Sequence, residues 1–220
     1  GENPYIYTRV SNPTTVVAEQ KIAALEGGDL AKCFSSGMAA ITAAVMSVME
    51  KDCHIITIAN VYGPTRTFFS SYLKKFGIDV TFVKGNSVDE FEAALRPNTR
   101  LIYLESPSSY VFRIQNLAGI AELAKSKGIT TVIDNTWATP LYQNPLEFGI
   151  DLVVHTASKY LGGHSDIVAG VVIGNHERMD GIAKDERQLF GGIMDPHQSW
   201  LLTRGLRTLP IRLKTSSDTA

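Results

Sequence analysis

Short apolar runs alternate with amphipathic stretches along the chain, and glycine, proline and small hydroxyl residues mark the boundaries between them. Amphipathic spacing over residues 14–25, stopped by Gly27-Gly28, predicts a helix. An apolar segment at 30–34 runs into Ser35-Ser36-Gly37 and a helix predicted over 38–49. A strand is expected at 54–59, a helix at 64–76 ended by Gly77, a strand at 78–83 and a helix at 88–95 closed by Pro97. A strand at 100–104 precedes a helix at 117–127, with Gly128 past its C-terminus. The β-branched runs 130–133, 152–155 and 169–173 have the composition of strands buried in parallel sheets. Helix is expected again over 178–190 and from 198 onwards.

Strand, loop, helix, strand is the order of an α/β domain, a mostly parallel sheet with helices on both faces. No repeat, low-complexity tract or Pro/Ser-rich linker divides it. Sheets of this kind bind ligands beyond the carboxyl ends of their strands. The polar and Gly-rich positions fall at those ends: Ser36-Gly37, 60–65, 105–108, Asp134-Asn135 and 156–159. Five segments far apart in sequence are therefore expected to open onto one rim.

Composition narrows the classes of partner. With 220 residues and a formal net charge of -1, the chain offers no electrostatic reason to bind nucleic acid or an anionic membrane. No window is apolar enough to span a bilayer and no signal pattern opens the sequence. A cytoplasmic location is expected from its two cysteines, which read as thiols of a reducing compartment. Cys33 and Cys53 lie in apolar stretches without metal-ligand spacing, so they are expected to be buried thiols, and no metal site is expected.

Several rim residues could carry chemistry. Lys159 follows the strand end Val153-Val154-His155 and precedes Gly162-Gly163, where a partly desolvated amine can act as a nucleophile. A surface lysine is the plainer reading of that position alone. Asp134 ends a run too apolar to finish in a carboxylate without a partner; helix capping, a metal or a cationic ligand would each supply one. Ser35-Ser36-Gly37-Met38-Ala39-Ala40 is a small-residue turn opening a helix, where free N–H groups and the dipole favour a phosphate, although routine capping looks the same. It lacks the spacing of a P-loop, a dinucleotide fingerprint or a nucleophile elbow. Tyr62 sits at a strand-end turn where it could stack on a flat ring or close the core. Tyr7 and Arg9 lie in an extended arm, suited to a phosphate or simply solvated.

Taken together, these residues resemble the Cys/Met-metabolism pyridoxal-phosphate enzymes: cystathionine γ-synthase, the cystathionine β- and γ-lyases and methionine γ-lyase. The matching stretches are Tyr7-Thr8-Arg9, Ser11-Asn12-Pro13-Thr14, Ser35 to Ala40, Tyr62-Gly63-Pro64-Thr65 and Glu105-Ser106-Pro107. Asp134-Asn135-Thr136 and the specific block running from His155 to Asp166 complete the set. The resemblance implies the large domain of a fold-type-I, aspartate-aminotransferase-like enzyme with pyridoxal 5'-phosphate as cofactor. It implies that Lys159 carries the cofactor and shuttles protons, Asp134 pairs with the ring nitrogen, and Tyr62 stacks on the ring and assists proton transfer. Ser36, Gly37, Met38, Thr156 and Ser158 would hold the phosphate or its approach. Tyr7 and Arg9, in an arm over residues 1–13, would reach the phosphate of a neighbouring subunit in a homodimer or dimer of dimers. Residues 14–220 would form the cofactor-binding domain. His164 and Asp166 are expected to hydrogen-bond within their own loop.

The family is longer, with a smaller C-terminal domain that holds the arginine for the substrate carboxylate, and this chain is expected to be a fragment without that domain. Arg204, Arg207 and Arg212 are not assigned that role. The implied activity is a C–S lyase of sulfur amino acids. Pro64, and Ser109 where the γ enzymes carry Asn-Pro after Ser108, lean to cystathionine β-lyase-type β-elimination. Leu161-Gly162-Gly163 looks closer to the enzymes of γ-elimination and γ-replacement. A cofactor-binding fragment without turnover is the alternative from another class. A nucleotide-dependent α/β enzyme is opposed by the missing glycine fingerprints.

Overall fold

Helix α1 (Pro13–Glu26) starts where Asn12 accepts the Thr14 N–H and Pro13 presets the first turn. The computed structural model describes residues 5–220. Strand β1 (Leu30–Phe34), helix α2 (Gly37–Met46), strand β2 (His54–Ile58) and helix α3 (Gly63–Thr67) follow. Strand β3 (Asp79–Val83), helix α4 (Val88–Ala93), strand β4 (Thr99–Glu105), helix α5 (Leu117–Ser126) and strand β5 (Thr130–Asp134) continue the alternation. A short helix α6 (Thr139–Tyr142) precedes β6 (Leu152–Thr156) and β7 (Gly170–Gly174). Helices α7 (His176–Lys184), α8 (Glu186–Phe190), α9 (Pro196–Leu206) and α10 (Leu209–Thr219) close the described chain.

The seven strands form one sheet in the order β1-β7-β6-β5-β4-β2-β3. Every residue of β2, β5 and β7 is buried, although successive side chains point to opposite faces. Both faces of the central sheet are therefore covered, as the unbroken apolar runs predict. β3 is at the edge, and its pattern of partial exposure shows it.

Strand β7 departs from the expectation of a parallel strand, because it pairs antiparallel with both β1 and β6. A parallel return needs a crossover, usually helical, and residues 157–169 hold turns and no helix. The reversal brings the start of β7 to the rim where the other strands end. At that rim two glycines permit close approach. A Cβ on Gly170 would stand 2.1 Å from the Ser36 carbonyl oxygen, and one on Gly37 would stand 2.6 Å from the Thr156 Cβ.

Two predicted helices are divided. The stretch expected as one helix over 64–76 is α3, then a π turn over Phe68–Tyr72 and a 3-10 turn over Leu73–Phe76. Phe68 and Leu73 are both buried, and a wider turn brings positions five apart onto the same face. The stretch 178–190 breaks at Asp185 (φ -98°, ψ -79°) into α7 and α8. Arg187 on α8 is thereby buried, donating to the carbonyls of Cys33, Arg9 and Val10. The described part of the N-terminal arm is tied down through these bonds; residues 1–4 of the predicted arm lie outside the described residues.

Candidate active site

One cleft of about 1250 Å³ opens at the carboxyl-end rim. Ser36, Gly37 and Met38 line it from the start of α2, Tyr62 from the turn after β2, and Asp134 from the end of β5. Thr156, Ser158 and Lys159 line it from the end of β6 and the turn that follows. Eight of the ten residues singled out in the sequence thus meet in one place. Tyr7 and Arg9 do not: Arg9 donates to the Gln188 carbonyl at 2.7 Å and lies over the Tyr7 ring, away from this cleft.

The start of α2 is built to receive an anion. Ser36 is the N-cap and accepts the Ala39 N–H at 3.0 Å, which leaves its O–H available to donate. Gly37 and Met38 are the first two helical positions, and their N–H groups have no intrahelical acceptor. Those donors and the positive end of the dipole face the cleft. Ser158 is less available than expected, because its hydroxyl is held by the backbone of Ala169, accepting its N–H at 2.9 Å.

Asp134 is buried, and burial raises its pKa above the ordinary 3.8. The Thr136 hydroxyl and N–H, both donating to Oδ1, and His155 on the neighbouring strand act in the opposite direction. Oδ2 has no hydrogen-bond partner among the described residues, and the carboxyl group lines the cleft. The helix-cap reading of Asp134 is not realised, since its oxygen closes a local turn onto Thr136, and the next helix, α6, begins at Thr139. Thr136 also accepts the Thr156 N–H at 2.8 Å, so it ties β5 to β6 at the site.

Lys159 is exposed, not partly desolvated as its position suggested, and its amine makes no hydrogen bond or ion pair among the described residues. An amine, an unneutralised buried carboxyl and a helix N-terminus therefore share one cleft without engaging one another. This set fits a ligand with an electrophilic carbon, a cationic or protonated nitrogen and an anionic tail. Pyridoxal phosphate, with its aldehyde, ring nitrogen and phosphate, has those three groups.

Residues the sequence reading left without a role complete the site. Glu105, at the end of β4, stands beside Asp134 in the sheet register. Its Oε2 accepts the Tyr62 N–H at 2.7 Å and its Oε1 the Ser109 hydroxyl at 2.5 Å. Burial first, and Asp134 next, raise its pKa to about 7. The signal that singled out Asp134, an acid ending an apolar strand, is equally present at Glu105. Trp137 lines the cleft mouth, stacked on Phe112 with ring centroids 5.1 Å apart and edge-on to Tyr160.

Behind the cleft, Glu26 at the end of α1 bonds His155 Nε2 and accepts from Asn135 Nδ2 at 2.9 Å. Asn135 and Gln143 exchange further bonds, and Gln143 donates to the Ser106 carbonyl. His164 donates within its loop to the Gly162 carbonyl, as expected. Asp166 does not stay within that loop; it pairs with Arg204 of α9 at 2.5 Å. Arg212 reaches the cleft wall, with its guanidinium held by Tyr160 O, Gly205 O and Thr208 Oγ1. Both cysteines are buried, and burial pushes the Cys33 thiol up. Among the described residues no cluster of three or more His, Cys, Asp or Glu is placed to hold a metal, and no helix is long and apolar enough to cross a membrane.

Comparison with known proteins agrees with this geometry. Cystathionine gamma-lyase of Bacillus subtilis (strain 168) is 41% identical over 216 residues, covering 98% of this chain and 57% of the relative. L-methionine gamma-lyase of Fusobacterium nucleatum subsp. nucleatum is 41% identical over 97% of the chain and 54% of its own length. Cystathionine beta-lyase MetC of Bacillus subtilis (strain 168) is 39% identical over 98% of the chain and 55% of its own length. The crystal structure of cystathionine gamma-lyase from Lactobacillus plantarum complexed with L-serine superposes with a TM-score of 0.91 at 41% identity, over 96% of this chain and 55% of that one. The chain spans little more than half the length of these relatives. The family model described as Cys/Met metabolism PLP-dependent enzyme matches residues 1–220. The chain belongs to that pyridoxal-phosphate-dependent family, with the fold-type-I α/β architecture.

Proposed function

We propose that this chain is the cofactor-binding part of a pyridoxal-phosphate-dependent C–S lyase acting on a sulfur-containing amino acid. The observation that carries the reading is the meeting of the unpartnered Lys159 amine, the buried Asp134 carboxyl and the start of α2 in one cleft. When bound, the cofactor supplies an electron-accepting ring that acidifies the substrate Cα–H.

The chain's own residues divide the remaining work. Lys159 would hold the cofactor aldehyde and move the proton at Cα. Asp134, oriented by Thr136, holds a proton on the ring nitrogen. Tyr62, which lines the same cleft, would stack on the ring and assist proton transfer, and its turn is fixed by the bond from its N–H to Glu105. The N–H groups of Gly37 and Met38 take the phosphate, with Thr156 beside them. Ser36 serves by capping α2, and Ser158 by fixing the approach through Ala169. Tyr7 and Arg9 would serve a neighbouring subunit's phosphate in a homodimer or dimer of dimers, a reading supported by neither of them lining this chain's own cleft.

The reaction we favour is β-elimination, in which the Cβ–S bond breaks, a thiolate leaves, and hydrolysis yields pyruvate and ammonia. Pro64 at the start of α3 and Ser109 after Ser108 support it. The relatives include β- and γ-lyases at nearly equal identity and do not discriminate. The test is the keto acid formed from cystathionine by the holoprotein containing this chain. Pyruvate is the expected product; 2-oxobutyrate would assign it to the γ-eliminating enzymes instead. Cytoplasmic location is proposed on the two buried free thiols, Cys33 and Cys53, which suit a reducing compartment.

A further inference from the structure

We propose that Glu105 is a positioning residue of this site, clamping the Tyr62 turn and the Ser109 loop and sharing one proton with Asp134 across the β4–β5 boundary. The inference rests on the cofactor assignment above and concerns a residue which that assignment gave no part beyond fixing one turn.

The geometry is specific. Register places Glu105 and Asp134 side by side on adjacent parallel strands, both buried and both lining the cleft. Glu105 Oε2 accepts the Tyr62 N–H and Oε1 the Ser109 hydroxyl, and the Ser109 backbone also favours the ionised carboxylate. One carboxyl therefore links the turn after β2 to the loop after β4. The titratable groups facing it are Asp134 on β5, Tyr103 two residues back on β4 and Tyr62; His155 on β6 acts on Asp134. Neither carboxyl is paired with a lysine or arginine among the described residues; Lys159 lines the same cleft, and His155 favours ionisation of Asp134 alone.

Two carboxyls so placed keep one proton between them until pH passes about 7, and a cation arriving beside them favours the doubly ionised form. A protonated ring nitrogen beside Asp134 is such a cation. Its binding favours ionisation of the pair, so a proton leaves Glu105 as the cofactor enters. Affinity must then rise with pH through the value at which the unliganded pair loses that proton, about 7 for Glu105. The Ser109 hydroxyl stabilises the ionised carboxylate, so removing it moves the inflection to higher pH.

The test is a titration of the holoprotein containing this chain, stripped and reloaded with pyridoxal phosphate at pH 5 to 9, with affinity read from the visible absorbance. The wild type should bind more tightly as pH rises through about 7. Glu105→Gln keeps the shape and should lose that rise, with affinity about tenfold weaker above the inflection. Ser109→Ala should keep the rise but displace it upward. An unaltered inflection in Glu105→Gln would overturn the proposal, and so would an unmoved one in Ser109→Ala should the first variant fail to fold. Wild-type protein that does not load at any pH would overturn the cofactor assignment itself, and this inference with it.

Discussion

At Asp134 burial and charge pull against each other. Its carboxyl has given up water and keeps two donors, both from Thr136, on one oxygen. A ligand cation opposite the other oxygen would satisfy it. Asp134→Asn keeps the shape and removes the charge, so pyridoxal phosphate affinity should fall by at least about tenfold, the worth of one hydrogen bond to a charged group. A titration showing unchanged affinity would place the ring nitrogen elsewhere. Asp134 was legible in the sequence because an acid rarely ends a run such as Thr131-Val132-Ile133 without purpose. Glu105 gave the same signal, but its pairing with Asp134 depends on strand order, which no local pattern encodes. The exposure of Lys159 and the commitment of Ser158 to Ala169 were equally hidden, since both follow from how the turn after β6 meets the start of β7.

Among elements, the strands were the most legible, because five-residue β-branched runs buried on both faces leave little alternative. The direction of β7 was not, as it depends on whether 157–169 folds into a crossover helix or into turns. That reversal is what sets Gly170 against the Ser36 carbonyl. Gly170→Ala would press a Cβ into backbone, and it should destabilise the fold by about 1–3 kcal/mol and weaken phosphate binding at α2, as read by urea unfolding and cofactor titration. Unchanged values for both would mean that α2 is free to move. Behind the same end of the sheet, Glu26 reaches from α1 to His155 on β6 and to Asn135. His155→Leu removes one partner of a fully buried carboxyl, and a loss of about 3–5 kcal/mol is expected in urea unfolding. A loss below 1 kcal/mol would show that Asn135 alone satisfies Glu26.

At the scale of the molecule, the buried acid pair gives the unliganded protein a signature in pH. Glu105 has an ordinary value of 4.5 unfolded and about 7 folded, so between these values the folded form holds a proton that the unfolded form has released. Its contribution is therefore full below 4.5 and is lost as pH rises through 7. Asp134, also raised, acts in the same direction. The melting temperature of Glu105→Gln should gain on the wild type as pH rises from 5 to 8; a constant difference would contradict the shared proton. The sheet, the rim and the family were all visible in one pass along the chain, because each strand end contributes its own short polar cluster.

The proposed chemistry requires a covalent bond between Lys159 and the cofactor aldehyde. Incubation with pyridoxal phosphate, reduction with borohydride and peptide mass mapping should find the reduced adduct on Lys159, and Lys159→Ala should abolish it. An adduct distributed over other lysines, or none at position 159, would contradict the assignment of this cleft.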